Sequence, residues 1–292
     1  MKPIVFLLFA TLTTIHAQTA ADSVALFNAK WDIQEIDRGI KWRKTHFNEK
    51  QLFNANQSIN ILEIPVKSRK HRWAIVTADS LDKKNKAQGQ LRPTSTLAKE
   101  NQALLAINGG FFDVKNGGSV DFIKVNGKVV DTTRLGIGNQ AAFHGQAAIV
   151  IHRNRLRIIK GASTVGWEYT LPYQNVMLSG PLLRLNGTNE VLPKNAFNDN
   201  RHPRSCACIT NKKKVLLITV DGRSAESYGM NLAELTFLAR QLGCRNALNL
   251  DGGGSTTLWI EGKGVVNYPS DNKKFDHEGE RAVSNALVVK RR

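Results

Sequence analysis

The chain has 292 residues, of which 41 are Lys or Arg and 24 are Asp or Glu, giving a formal charge of +17 and an isoelectric point near 10.0. That length suits a single large domain, and three cysteines exclude a disulfide-built scaffold. The positive field favours acidic partners, but no basic stretch is interleaved with stacking aromatics and no nucleic-acid motif is present, so nucleic acid is not the expected target.

Residues 1–20 carry Lys2, an apolar run from Ile4 to Ala10, then Ala17-Gln18-Thr19-Ala20, the pattern of a bacterial-type signal peptide. The run is shorter than the roughly 20 apolar residues of a membrane helix. The mature chain, 21–292, is therefore expected to lack a membrane span and to be exported, periplasmic or secreted. Basic clusters lie at 41–44, 67–72 and 212–214. Strands are expected at 59–66 and 73–78, and a helix from Thr94 or Ser95 to about Gln102. A strand at 103–107 leads into Asn108-Gly109-Gly110-Phe111-Phe112-Asp113. Next come a hairpin at 122–130 about Asn126-Gly127, a second over 147–159, and strands at 176–178 and 182–185.

Cys206 and Cys208, two apart in an extended segment, share one face and can pack as small hydrophobes. In an oxidising compartment one of them can bridge to Cys244, a choice that spacing leaves open. The 215–220 strand ends in Asp221-Gly222-Arg223. A helix follows, with Asn231 as its cap, Glu234 three residues on, an apolar stripe and Gly243 as its stop. The next strand ends in Asp251-Gly252-Gly253-Gly254-Ser255-Thr256-Thr257, and the last strand is 286–289. The class is α+β: mixed, mostly antiparallel β-sheets with few packed helices in one domain.

Two strands ending in Asp-Gly across a helical crossover bring both aspartates to one sheet edge if the strands are parallel neighbours. Three glycines without Cβ let backbone amides approach an anion. Asn108 is suited to hydrogen bonding a sugar, with Phe111 and Phe112 as pocket walls or core. Arginines are suited to bidentate phosphate contacts. No HExxH, paired-His or carboxylate-dense motif is present, so no cofactor is predicted, although a divalent metal stays open.

In order along the chain, 106–112, Gly180-Pro181, Pro203-Arg204-Ser205, 220–223, Tyr228-Gly229-Met230, 250–257 and Arg281-Ala282-Val283 with Asn285-Ala286 resemble the phosphodiester glycosidase family, over about 59–289. Pro203-Arg204-Ser205-Cys206 stands where that family commonly has Pro-Arg-Thr-Ala. The resemblance implies hydrolysis of a sugar joined through its anomeric oxygen to a phosphodiester. On that basis Asp251 is expected as nucleophile or base, and Asp221 as a partner carboxylate that orients water or binds sugar hydroxyls. Substrate binding is expected from Asn108, Gly109, His202, Arg204, Arg223, Gly252, Gly253, Gly254, Ser255, Thr256 and Arg281. The arginines take the phosphate, and His202 adds a donor or weak acid. The implied partner is a phosphorylated or anionic glycan. Two other readings are a non-catalytic anionic-glycan binder and a phosphodiesterase that cleaves the P–O bond. Carboxylates about 5 Å apart would suit retention, and about 6.5–9.5 Å inversion.

Overall fold

A computed structural model describes residues 20–78, 89–134, 145–162 and 164–292. The signal peptide expected at 1–20 falls almost wholly outside the described residues. An eight-stranded sheet runs in space Asp32–Asp37, Ile40–Leu52, Ala55–Pro65, Lys214–Val220, Arg204–Thr210, Cys244–Asn249, Leu182–Leu185, Thr188–Asn189. One five-stranded sheet contains Leu105–Asn108 between Leu258–Ile260 and Asn285–Arg291. A second contains the hairpins at 123–131 and 147–160. The expected α+β class, mostly antiparallel with few helices, is what the chain adopts.

Period-2 patterning explains the layers. Leu62, Ala207, Leu217 and Leu248 face one way into a core shared with Ile75, Leu105, Ile149 and Leu287 of the smaller sheets. Their neighbours Ile61, Cys206, Cys208, Leu216 and Ala247 face the other way, onto the helix Leu232–Gln241. That helix starts as expected, with Asn231 Oδ1 accepting from Glu234 N at 2.8 Å and Glu234 Oε2 accepting from Asn231 N at 3.0 Å. It buries Leu232, Leu235 and Leu238 completely, each worth about 1.5–3 kcal/mol over an exposed side chain. The helix Thr94–Glu100 covers the outer face of the second layer through Leu97 and Ala98. Cys208 is bonded to Cys244, while Cys206 is a free thiol whose complete burial pushes its pKa up to about 12. Among the described residues no helix is long and apolar enough to cross a membrane.

One topological expectation is corrected. The strands ending at Val220 and Asn249 are not neighbours, because Arg204–Thr210 lies between them, antiparallel to both. They are therefore parallel to each other and still deliver Asp221 and Asp251 to one edge, two strand spacings or about 10 Å apart in backbone.

Candidate functional site

At that edge the chain corners are locked together by close backbone contacts. Asp251 N donates to Gly109 O at 3.0 Å, and Gly253 N donates to Pro203 O at 2.8 Å. A Cβ on Gly222 would sit 2.8 Å from Pro203 N, and one on Gly252 would sit 2.6 Å from Pro203 O. A Cβ on Gly109 would overlap the amide oxygen of Asn285. Glycine at these corners is required for close approach. Asn108 ties three of the corners: its Oδ1 accepts from Ser205 Oγ at 2.7 Å and Thr257 N at 3.2 Å, and its Nδ2 donates to Asp251 O at 2.6 Å. Its amide is thus spent on protein rather than turned to solvent, and Gly109 beside it is buried too.

Asp251 is half-buried, with Oδ1 accepting from Gly252 N at 3.0 Å. Gly253 and Ser255 form a 3-10 turn with Gly253 at φ +61. Two arginines flank this turn. A Cβ on Gly253 would lie 3.0 Å from Arg223 Nη2, and one on Gly254 would lie 2.7 Å from Arg281 Nη2. Arg281 is held by Asp271, whose Oδ1 accepts from Nε at 2.9 Å and Nη2 at 2.5 Å. Arg223 is exposed, in the left-handed region at φ +66, and its guanidinium has no hydrogen bond or ion pair among the described residues. The expected three-amide cradle is smaller than the glycine run suggests, because Gly252 N and Gly253 N already have acceptors within the protein. The hydroxyls of Ser255 and Thr256 are buried and make no hydrogen bond among the described residues.

Three expected site residues sit differently from their assigned roles. Asp221 is fully buried: Oδ2 accepts from Ser58 Oγ at 2.7 Å, and Oδ1 accepts from Asn267 Nδ2 at 2.9 Å and Tyr268 N at 2.8 Å. Burial raises its pKa, against the lowering effect of those bonds and of His277. It has no exposed face for a sugar hydroxyl, so in this arrangement it anchors surrounding chain. Arg204 is also buried. Its Nε donates to Met230 O at 2.8 Å and its Nη2 to Phe197 O and Asn200 O at 2.7 and 2.9 Å, with the guanidinium 5.0 Å from the Phe197 ring centroid. Burial, set against the raising effect of Glu234, brings its pKa down to about 10, so it remains cationic at neutral pH. His202 is half-buried, and burial followed by the charges of Arg204 and Arg223 lowers its pKa, favouring the neutral imidazole. A neutral ring donates one N–H but is a poor acid.

The sequence reading did not name Ser58, Asn267, Tyr268 or Asp271. Asn267 also donates to Thr256 O at 3.0 Å, linking the Asp221 anchor to the end of the glycine turn. A cavity of about 600 Å³ opens beside the anchor, lined in part by Ser58, Tyr268, Trp42, His46 and His277. Among the described residues no group of three or more His, Cys, Asp or Glu is arranged to hold a metal ion.

The sequence model of the phosphodiester glycosidase family matches residues 101–290. Mouse N-acetylglucosamine-1-phosphodiester alpha-N-acetylglucosaminidase is 26% identical over 176 residues, covering 58% of this chain and 34% of the mouse protein. The SPbeta prophage-derived uncharacterized protein YomE of Bacillus subtilis (strain 168) is 38% identical over 89 residues, 30% of this chain and 13% of that protein. The chain thus spans a minor part of the length of these curated relatives. Among solved structures, the zebrafish N-acetylglucosamine-1-phosphodiester alpha-N-acetylglucosaminidase catalytic domain, auto-inhibited by its pro-peptide, superposes with TM-score 0.67 at 21% identity, covering 94% of this chain and 93% of that one. A hypothetical protein from Synechocystis superposes with TM-score 0.65 at 17% identity, covering 90% and 64%. At these identities the superpositions speak to fold.

Proposed function

The chain belongs to the phosphodiester glycosidase family, and from that premise we propose that it hydrolyses the glycosidic bond of a sugar-1-phosphodiester to a free sugar and a phosphomonoester. The observation that carries this reading is the flanking of the turn after Asp251 by the guanidinium groups of Arg223 and Arg281. Cleavage at C1 breaks the C–O bond, and the electron pair leaves with the phosphate oxygen. Charge therefore grows on phosphate, where two guanidinium groups stabilise it and reduce the need for protonation. Arg223, unpaired, contributes more than Arg281, which Asp271 partly neutralises. Neutral His202 offers an N–H to the same oxygens. Asp251 acts at C1, either attacking it or taking the proton from the incoming water, whose hydroxyl ends on the sugar.

Asp221 in this scheme is a positioning residue. Through Asn267 it fixes the carbonyl of Thr256, and through Ser58 and Tyr268 the wall of the adjoining cavity. We further propose that the leader at 1–20 directs export; N-terminal sequencing of protein recovered outside the cytoplasm, starting near residue 21, is the expected result.

The test incubates the mature protein with a panel of sugar-1-phosphodiesters, with and without chelator, beside Asp251→Asn. Release of reducing sugar by the wild type and none by the folded variant supports the reading. Release of a sugar phosphate, or full activity in Asp251→Asn, rejects it.

A further inference from the structure

We propose that the end of the sandwich remote from Asp251 binds a phosphodiester-linked anionic polymer through a pocket of unpaired cations. A cavity of about 290 Å³ there is lined by Lys67, Arg69, Arg153, Arg155, Arg157 and Arg292, and among the described residues by no Asp or Glu side chain. Among the described residues none of these six side chains has an ion pair or a hydrogen bond. Several arginines elsewhere are ion-paired, among them Arg134 with Asp113, Arg201 with Glu234, Arg281 with Asp271 and Arg291 with Asp37, whereas Arg223 beside the glycine turn is not. Gathering six cationic side chains with no acidic side chain among them costs stability through mutual repulsion, and an anionic ligand removes that cost. Five of the six are arginine, whose planar fork matches phosphate oxygens better than a lysine ammonium does.

The pocket is built on fixed backbone. Its centre is the turn at Arg153 and Asn154, with φ +48 and +59, joining the strands Ala147–His152 and Arg155–Lys160. The Asn154 side chain accepts from Trp73 N at 3.1 Å and donates to His71 O at 2.7 Å and Ser68 O at 3.3 Å. Arg292 N donates to Lys70 O at 2.8 Å, which fastens the end of the last strand to the loop that Asn154 also holds. Along Arg155–Lys160, Arg155 and Arg157 point outward together because Leu156 and Ile158 face the core. The backbone from which these side chains start is thus held in place.

Location limits the ligand. Val66, next to Lys67, donates to Lys213 O at 3.1 Å, at the start of the Lys214–Val220 strand that ends in Asp221. Seven extended residues separate the two ends by about 20 Å. The anion bound here is therefore not the one cleaved beside Asp251; it is a distant phosphate of the same chain or another chain. That one polymer serves both ends rests on the hydrolase reading above, whereas binding at the pocket does not.

The test uses poly(glycerol phosphate) free of glycosyl groups, titrated calorimetrically into the mature protein across a salt series. The binding variant is Arg153→Ala/Arg155→Ala/Arg157→Ala. The control is Lys99→Ala/Lys115→Ala/Lys194→Ala, which removes three exposed cations from scattered positions. The arginine variant is expected to lose at least tenfold in affinity and to lower the log K against log salt slope by about 2, while the control changes less than twofold. Turnover of a small sugar-1-phosphodiester should be equal in all three proteins. Equal losses in both variants, no binding by the wild type, or tighter binding of the carboxylate polymer poly(glutamate) at matched charge would overturn the assignment. If the triple variant does not fold, Arg157→Glu alone is read by the same criteria. Polymer binding that depends on the arginines in a protein with no small-substrate turnover would keep this site and reject the hydrolase reading.

Discussion

Substituting alanine for Asp221 removes the acceptor of three hydrogen bonds, two buried and one part-buried, from Ser58 Oγ at 2.7 Å, Asn267 Nδ2 at 2.9 Å and Tyr268 N at 2.8 Å. Leaving a buried donor unsatisfied costs about 1–3 kcal/mol. The Ser58 hydroxyl can rotate, and Asn267 keeps its bond to Thr256 O, so the three losses together come to about 3–5 kcal/mol. That is a large fraction of the roughly 5–15 kcal/mol that keeps a domain folded. Urea unfolding of wild type and variant is the assay, with the midpoint falling and the slope unchanged. Asp221→Asn separates the charge from the shape. In the wild type the raised folded pKa means that the folded state holds a proton that the unfolded state, titrating near 3.8, releases. Stability linked to this group is therefore full below about pH 3.8 and declines as pH rises through the folded value. The stability difference between wild type and Asp221→Asn should drift in that direction over the same window. An alanine variant that loses less than about 1 kcal/mol while losing all turnover would refute the anchoring role and return Asp221 to the chemistry.

Asp251→Asn keeps the acceptor for Gly252 N, so its stability should stay within about 0.5 kcal/mol of wild type by urea unfolding, with sugar release abolished. Arg223→Ala should lower kcat/KM on a sugar-1-phosphodiester by about 10²–10³-fold, comparable to loss of one transition-state donor. Arg281→Ala should cost less, because Asp271 already shares its charge. NMR titration of His202 in Arg223→Ala should show its pKa higher than in wild type, yet still depressed, because burial is the first cause and Arg204 remains. Replacing Cys208 and Cys244 by alanine should cost about 2–4 kcal/mol. Cys206, buried and with its thiol pushed up to about 12, should stay unreactive toward thiol reagents in the native protein.

What could be seen in the sequence was local. The capping box at Asn231 and Glu234, the turn at Asn126-Gly127 with φ +50 and +81, and the glycine corner after Asp251 each depend on a few adjacent residues. The strand Ile40–Leu52 was not anticipated, since the charges at 41–44 stand out as a basic patch. The signal that marks it is alternation, with Ile40 and Trp42 facing one core and Phe47, of opposite parity, facing the other. The burial of Asp221 depends on Ser58, 163 positions away, and on Asn267, 46 away. The capture of Arg204 by the carbonyls of Phe197, Asn200 and Met230 likewise needs three loops folded around it. Asp-Gly and Pro-Arg pairs mark where such corners form, but not which way the side chain turns.

Hydrolysis of a sugar-1-phosphodiester in water enriched with ¹⁸O, with both products analysed by mass spectrometry, reads directly which bond the residues around Asp251 break. Label on the sugar hydroxyl and none in the phosphomonoester is the expected result, because the oxygen between C1 and phosphorus departs with the phosphate. Label in the phosphate would mean attack at phosphorus and would contradict the roles given to Asp251, Arg223 and Arg281.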